Sequence, residues 1–249
     1  MLLFDERVFR MGFKTFLGIK KRSWKRSAKK FIAKVQRTFP QYPWEDFLRI
    51  SEHFRGGELS SLPERAFLFR LSHDLPSDAK VVEIGSWLGA SSCLLAWGLK
   101  GTKAKMYAID NFRGNASDGS ARVRYQERMS KLKTDTTKDI FDRNIAYFNL
   151  ENRVTAIVND SLQAAKNFCE PPHSIDLVFI DGDHSEEATK DDITAWLPFA
   201  KPGGIVVFHD FTSNHGVPQA VWWAIKQSCF SELVGIYGST IAFKVNKGA

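Results

Sequence analysis

The sequence predicts a doubly wound α/β fold, with a mostly parallel seven-stranded sheet, an antiparallel last strand and an N-terminal basic helical extension. Three observations carry this reading. Short β-branched runs alternate with longer helical patterns; one strand runs directly into a glycine turn and a helix at Val81–Ser92; and the last two apolar runs are joined by a tight glycine turn.

Taken in order, the first element is basic. Between Lys14 and Arg37 the chain carries ten Lys or Arg and no Asp or Glu, so the total of +7 leaves 7 − 10 = −3 for everything else. Trp24, Ala28, Phe31 and Val35 recur at helical spacing on one face, with Arg22, Lys25, Arg26, Lys29, Lys30 and Lys34 on the other. Such a helix can lie on an anionic membrane surface, or dock its apolar face on its own domain or a second subunit. Pro40 and Pro43 end the segment, which divides the chain into an extension over 1–40 and a main domain over 41–249.

A helix is expected around Pro63–Leu75. Strands follow at Lys80–Ile84, Ala104–Ile109, Val154–Val158, Ile175–Ile180 and Ile205–Phe208, with helices near Ser91–Leu99, Lys138–Phe148, Ser161–Phe168 and Ala188–Phe199. Leu233–Ile236 and Ser239–Val245 form the closing antiparallel pair. Residues Asn111–Asp135 interrupt the alternation and read as a loop or lid over the strand ends.

Bulk composition narrows the function. Hydrophobic residues make up 43% and charged residues 25% of 249, ordinary globular values. No apolar run reaches the ~18–20 residues needed to span a bilayer, and Asp5, Glu6, Arg7 and Arg10 break any secretory apolar region. Cys93, Cys169 and Cys229 are scattered, which fits a reducing cytoplasm. Basicity confined to one terminal stretch argues against nucleic acid as the partner of the main domain.

The segment Val81-Val-Glu-Ile-Gly-Ser-Trp-Leu-Gly-Ala-Ser-Ser92 has the pattern E-x-G-x-x-x-G, unlike the G-x-G-x-x-G of dinucleotide binders. Gly85 permits a sharp turn and close approach to a ligand, and Gly89 permits tight strand–helix packing. Asp110, at the tip of the second strand, can accept both hydroxyls of a ribose. Asp160, at the end of the third, can accept from an adenine amine. Each acid alone could equally cap the next helix; acids at successive strand ends favour a ligand.

Together with Asp160-Ser161 and the late Leu197-Pro-Phe-Ala-Lys-Pro-Gly-Gly-Ile-Val-Val-Phe208, these motifs resemble the class I S-adenosylmethionine-dependent methyltransferases, whose fold is Rossmann-like. Phe179-Ile-Asp-Gly-Asp-His184 and Phe208-His-Asp-Phe211 resemble a bacterial subfamily of macrolide-sugar and rhamnosyl O-methyltransferases and cephalosporin-hydroxylase-type proteins. The resemblance implies S-adenosyl-L-methionine as cofactor. Glu83, Gly85 and Gly89 would frame its methionine part, Asp110 would hold its ribose and Asp160 and Ser161 would flank its adenine, with Ser86 and Asn111 also in the cofactor site.

Acids and histidines follow the fourth and fifth strands. Asp181, His209 and Asp210 could bind a divalent cation, Mg²⁺ on oxygen ligands or Mn²⁺ if a histidine takes part. The alternative is that the two acids bond loop backbone and orient a histidine. Catechol-type O-methyltransferases hold magnesium at equivalent strand ends, but His209 stands where an Asp would be expected. His184, three residues after Asp181, is the expected proton acceptor, with Asp181 beside it and His215 as second choice. Trp222 and Trp223 read as core or interface, while Arg113, Arg122, Arg124 and Tyr125 lie in the lid.

The expected activity is therefore methyl transfer to a hydroxyl of a sugar, glycolipid or other small acceptor, with metal assistance. Expected partners are the acceptor, a membrane surface touched through residues 14–37, and a second copy of the chain. N-methylation or hydroxylation on the same fold, or a non-catalytic membrane-surface adaptor, are the alternatives.

Overall fold

The computed structural model describes residues 21–55, 60–99, 101, 103–114, 119–212 and 216–246. One sheet holds seven strands in the order β3-β2-β1-β4-β5-β7-β6. They are β1 Lys80–Ile84, β2 Lys105–Asp110, β3 Val154–Val158, β4 Ile175–Ile180, β5 Ala200–Phe208, β6 Phe230–Tyr237 and β7 Thr240–Val245. Pairings among β1 to β5 are parallel, and β7 runs antiparallel to both β5 and β6.

The strands alternate with period two, and each face is covered. Val81, Met106, Leu177, Phe179 and Val207 join one core, which is closed by α1 Lys21–Thr38, α2 Trp44–His53, α3 Leu62–His73, α4 Ala90–Gly98 and α6 Lys138–Tyr147. Val82, Ile109, Val178, Ile180 and Phe208 join the other, under α7 Ser161–Lys166, α8 Glu186–Trp196 and α9 Val217–Lys226. Because the chain winds outward from β1 in one direction and from β4 in the other, a crevice opens at the carboxyl ends of these two strands.

Three elements depart from expectation. Helix α2 was not predicted; Trp44, Phe47 and Ile50 form its buried face. The segment read as an irregular lid contains α5, Gly119–Leu132. Its Arg, Gln, Glu, Met and Lys are strong helix formers, so propensity supplies what apolar periodicity does not. Strand β5 starts at Ala200, ahead of the predicted Ile205, because Ala200 already pairs with Ile175 before a register shift through the Lys-Pro-Gly-Gly stretch.

The basic helix docks on its own domain. Ala28, Ile32 and Val35 are buried in the first core, and the Phe31 ring lies 6.5 Å from that of Phe47. Lys29, Lys30 and Arg37 stay exposed on the outer side. The described part of the apolar face is thus already occupied by the protein. The side chain of Trp24 lies outside the described residues. Among the described residues no helix is long and apolar enough to cross a membrane.

Replacing Ile32 by alanine keeps helix propensity but empties a buried site, and should cost about 2–5 kcal/mol in urea unfolding. A loss under about 0.5 kcal/mol, the range of ordinary surface substitutions, would show α1 to be a detachable appendage.

Candidate active site

At the carboxyl edge of the sheet lies a cleft of about 310 Å³. Its floor is set by glycine. Gly85 has φ +86°, and a Cβ there would stand 2.1 Å from the Asp181 carbonyl oxygen, so the β1 turn and the β4 turn touch through bare main chain. Gly89, φ +89°, caps α4, and a Cβ would press on the Phe141 ring at 3.0 Å.

Asp110 organises the turn. Its Oδ2 accepts the backbone N–H groups of Ser86 (2.9 Å) and Trp87 (2.7 Å), and its Oδ1 that of Phe112 (2.6 Å). Trp87 and Phe112 are both held in the left-handed region, at φ 48° and 57°, a strain that these bonds help maintain. Burial raises the Asp110 pKa against the three bonds. Gly85, Ser86, Asp110, Asn111, Asp160, Ser161 and Asp181 all line the cleft.

Glu83 and Gly89 do not line it. Glu83 is wholly buried and accepts the Ser92 hydroxyl of α4, so it braces the turn from within. Burial, opposed by the neighbouring serines, pushes its pKa up to about 7. Asp160 has the capping role weighed against ligand binding: its Oδ1 accepts the Gln163 N–H at 3.0 Å. Ser161 accepts the Trp196 indole N–H at 2.7 Å.

The acids and histidines after β4 and β5 converge. His209 Nδ1 lies 3.2 Å from Asp181 and 3.3 Å from Asp210; His184 Nε2 lies 3.2 Å from Asp210 and 3.7 Å from Asp181. Burial alone would raise Asp181, yet His209 and then His184 hold it down at about 2. Burial would likewise depress His209, but Asp181 and Asp210 carry it well above its ordinary value. His184 is raised against burial by Asp181 and then Asp210, and Asp210 is lowered against burial chiefly by His209. The shifts favour charged imidazoles beside charged carboxylates; this pairing is lost on the acid side as Asp181 protonates near 2, and on the alkaline side as His209 deprotonates.

The group whose ligand atoms all fall within 4.8 Å of one another is Asp181, His184 and Asp210. His184 falls in this group, while His209, the histidine expected there, lies 3.2 and 3.3 Å from the same two acids. His184 is 7% exposed and absent from the cleft wall, whereas His209 and Asp181 line it. His215 lies outside the described residues.

Sequence reasoning missed what stands behind His209. Glu64 accepts the Ser239 N–H (2.6 Å) and hydroxyl (2.7 Å), and its Oε1 is 3.8 Å from His209 Nε2. Ser61-x-x-Glu64 is a capping box, a signature visible in sequence, but it points to a helix start and not to a distant histidine. From the lid, Tyr125 lines the cleft with its ring 4.7 Å from Trp87. Arg113 and Arg122 are exposed, as is Trp222 of α9.

A family model described as a methyltransferase domain matches residues 82–211. The chain belongs to that methyltransferase family, and its sheet is that of the class I S-adenosylmethionine-dependent enzymes. Among solved structures, the O-methyltransferase NovP aligns at 19% identity and TM-score 0.58, covering 75% of this chain and 81% of its own. An O-methyltransferase from Bacillus cereus, in complex with SAH, aligns at 20% and 0.57, covering 90% and 99%. TomG from Streptomyces achromogenes, an O-methyltransferase of tomaymycin synthesis in complex with SAM, aligns at 17% and 0.56, covering 92% and 100%.

Glu83→Gln tests the buried acid. With a folded pKa near 7 against 4.5 unfolded, wild-type stability falls as pH rises between those values. The variant should exceed wild type by roughly 2–4 kcal/mol at pH 8 and match it at pH 4. Equal unfolding free energies at both pH values would place Glu83 in contact with solvent.

Proposed function

We propose that this enzyme moves the methyl group of S-adenosylmethionine to a hydroxyl of a sugar, glycolipid or related small acceptor, assisted by a divalent cation. The observation that carries this is the convergence of Asp181, His184 and Asp210 beside a glycine-floored cleft.

The residues fit the cofactor. Trp87 Nε1 is buried without a hydrogen-bond partner among the described residues, and Asp110 stands at the β2 tip where a ribose diol would bond. The cofactor supplies an electrophilic methyl group on a sulfonium. Gly85, Ser86 and Trp87 would seat the methionine part, Asp110 and Asn111 the ribose, and Asp160 and Ser161 the base.

The donor set, two carboxylate oxygens and one imidazole nitrogen, suits Mn²⁺ or Mg²⁺. A bound cation would acidify the acceptor hydroxyl. That matters because Asp181, held at about 2, is a weak base for an ordinary alcohol. Within this reading Asp181, His184 and Asp210 would hold the cation, and His209 stabilises the carboxylates. The lid residues Arg122 and Tyr125 face acceptor selection. The same reading places the enzyme in the cytoplasm, with Lys29, Lys30 and Arg37 available to an anionic membrane surface. A second copy would meet the exposed Trp222, Leu233 and Ile236.

Calorimetry on EDTA-treated protein should give micromolar binding of S-adenosylhomocysteine. Asp110→Ala should weaken it roughly tenfold or more, the loss of a charge-assisted pair. Mn²⁺ followed by electron paramagnetic resonance should bind once per chain, and His184→Ala should abolish this while leaving the homocysteine compound bound. No binding of that compound would overturn the cofactor assignment; Mn²⁺ binding undisturbed in His184→Ala would overturn the ligand set.

A further inference from the structure

The cleft has two ends with separate tasks. The acid–histidine cluster of Asp181 and His209 takes one end, and Asp110 stands between it and the β3–α7 turn. The far end, walled by Asn159, Ser161, Leu162 and Asp192, is left for the base of the cofactor. We propose that Asp192 holds the adenine ring, bonding at once to its exocyclic amine and to an adjacent ring nitrogen. This rests on the cofactor reading above.

Asp192 comes from the middle of α8, is 5% exposed and lines the cleft. Gly182, also on the cleft wall, keeps it open. A Cβ at 182 would lie 3.4 Å from Asp192 Oδ2 and 3.2 Å from Ile84 Cγ2, so a longer side chain would cover the carboxyl. Gly182 is not among the residues of positive φ. Its φ therefore does not demand glycine; a side chain there would crowd Ile84 and stand against the Asp192 carboxyl. The neighbouring Asp160 is exposed and already accepts Gln163 N–H.

Burial raises Asp192 to about 7 against a hydrogen bond from Ser161 of α7, and Asp183 of the β4–α8 turn and Asp191 of its own helix add to the rise. A neutral carboxyl group is a two-point complement to adenine: its O–H donates to a ring nitrogen and its C=O accepts from the amine. An ionised one loses the donor. Asparagine presents the same donor and acceptor side by side at every pH.

The test is calorimetric titration of the metal-free full chain with S-adenosylhomocysteine at pH 6 and pH 8, in wild type, Asp192→Asn and Asp192→Ala. Wild-type affinity should fall about five- to tenfold between the two pH values. Asp192→Asn should match wild type at pH 6 and escape that extra loss, and Asp192→Ala should be weaker by roughly tenfold at pH 6. Glu83, which also titrates near 7, is common to all three and cancels. Unchanged affinity in Asp192→Ala, or the full wild-type pH loss in Asp192→Asn, would overturn the assignment. The isosteric Asn variant carries the test if the Ala variant is unstable. Failure of wild type to bind at either pH would instead strike the cofactor reading itself.

Discussion

The structure depends on the continuation of the parallel ladder past the ends of its strands. Gly85 N–H bonds the Ile109 carbonyl, Asp181 N–H that of Ile84, His209 N–H that of Ile180, and Asn159 N–H that of Asp110. These bonds fix the residues that leave the sheet at a common level. Gly85 then lets two of the turns pass at main-chain contact. Any side chain there would separate the cofactor turn from Asp181, and the cleft would lose its floor and its chemistry together.

Register also explains the charge cluster. Ile180 pairs with both Ile84 and Phe208, so the next residues, Asp181 and His209, emerge side by side. Two carboxylates so close would repel, and the neighbouring imidazoles offset that repulsion. Glu64 and Ser239 stand on the far side of His209, with the Ser239 hydroxyl 3.4 Å and Glu64 Oε1 3.8 Å from its other nitrogen.

Much of this was legible in the sequence. The strands showed because buried parallel strands are continuous apolar runs, and the acids and glycines of the cleft showed because each sits one or two residues beyond such a run. Asp192 and Glu64 did not. Each lies inside a helix, where a polar residue reads as solvent-facing or as a cap, and only the packing of α8 and α3 on the sheet turns them inward. Glu83 was legible as a site residue but not in its role, since sequence cannot tell a carboxyl that meets a ligand from one that braces the turn beneath. The grouping of His184 with Asp181 and Asp210 required the loop geometry after β4. Helix α5 escaped because its stabilisation comes from residue propensity and from Tyr125 and Met129, not from an apolar stripe.

The position of β7 bears on the order in which the molecule can be assembled during synthesis. It is made after β6 yet lies between β6 and β5. Until both strands have left the ribosome, β5 presents an unpaired edge, and the Ser239 turn that bonds Glu64 beside His209 does not exist. A nascent chain can therefore form the cofactor half of the sheet early, while the acid–histidine half waits for the final hairpin to slot in. A chaperone that shields the β5 edge would protect this enzyme at the stage when it is most prone to pair with the wrong strand.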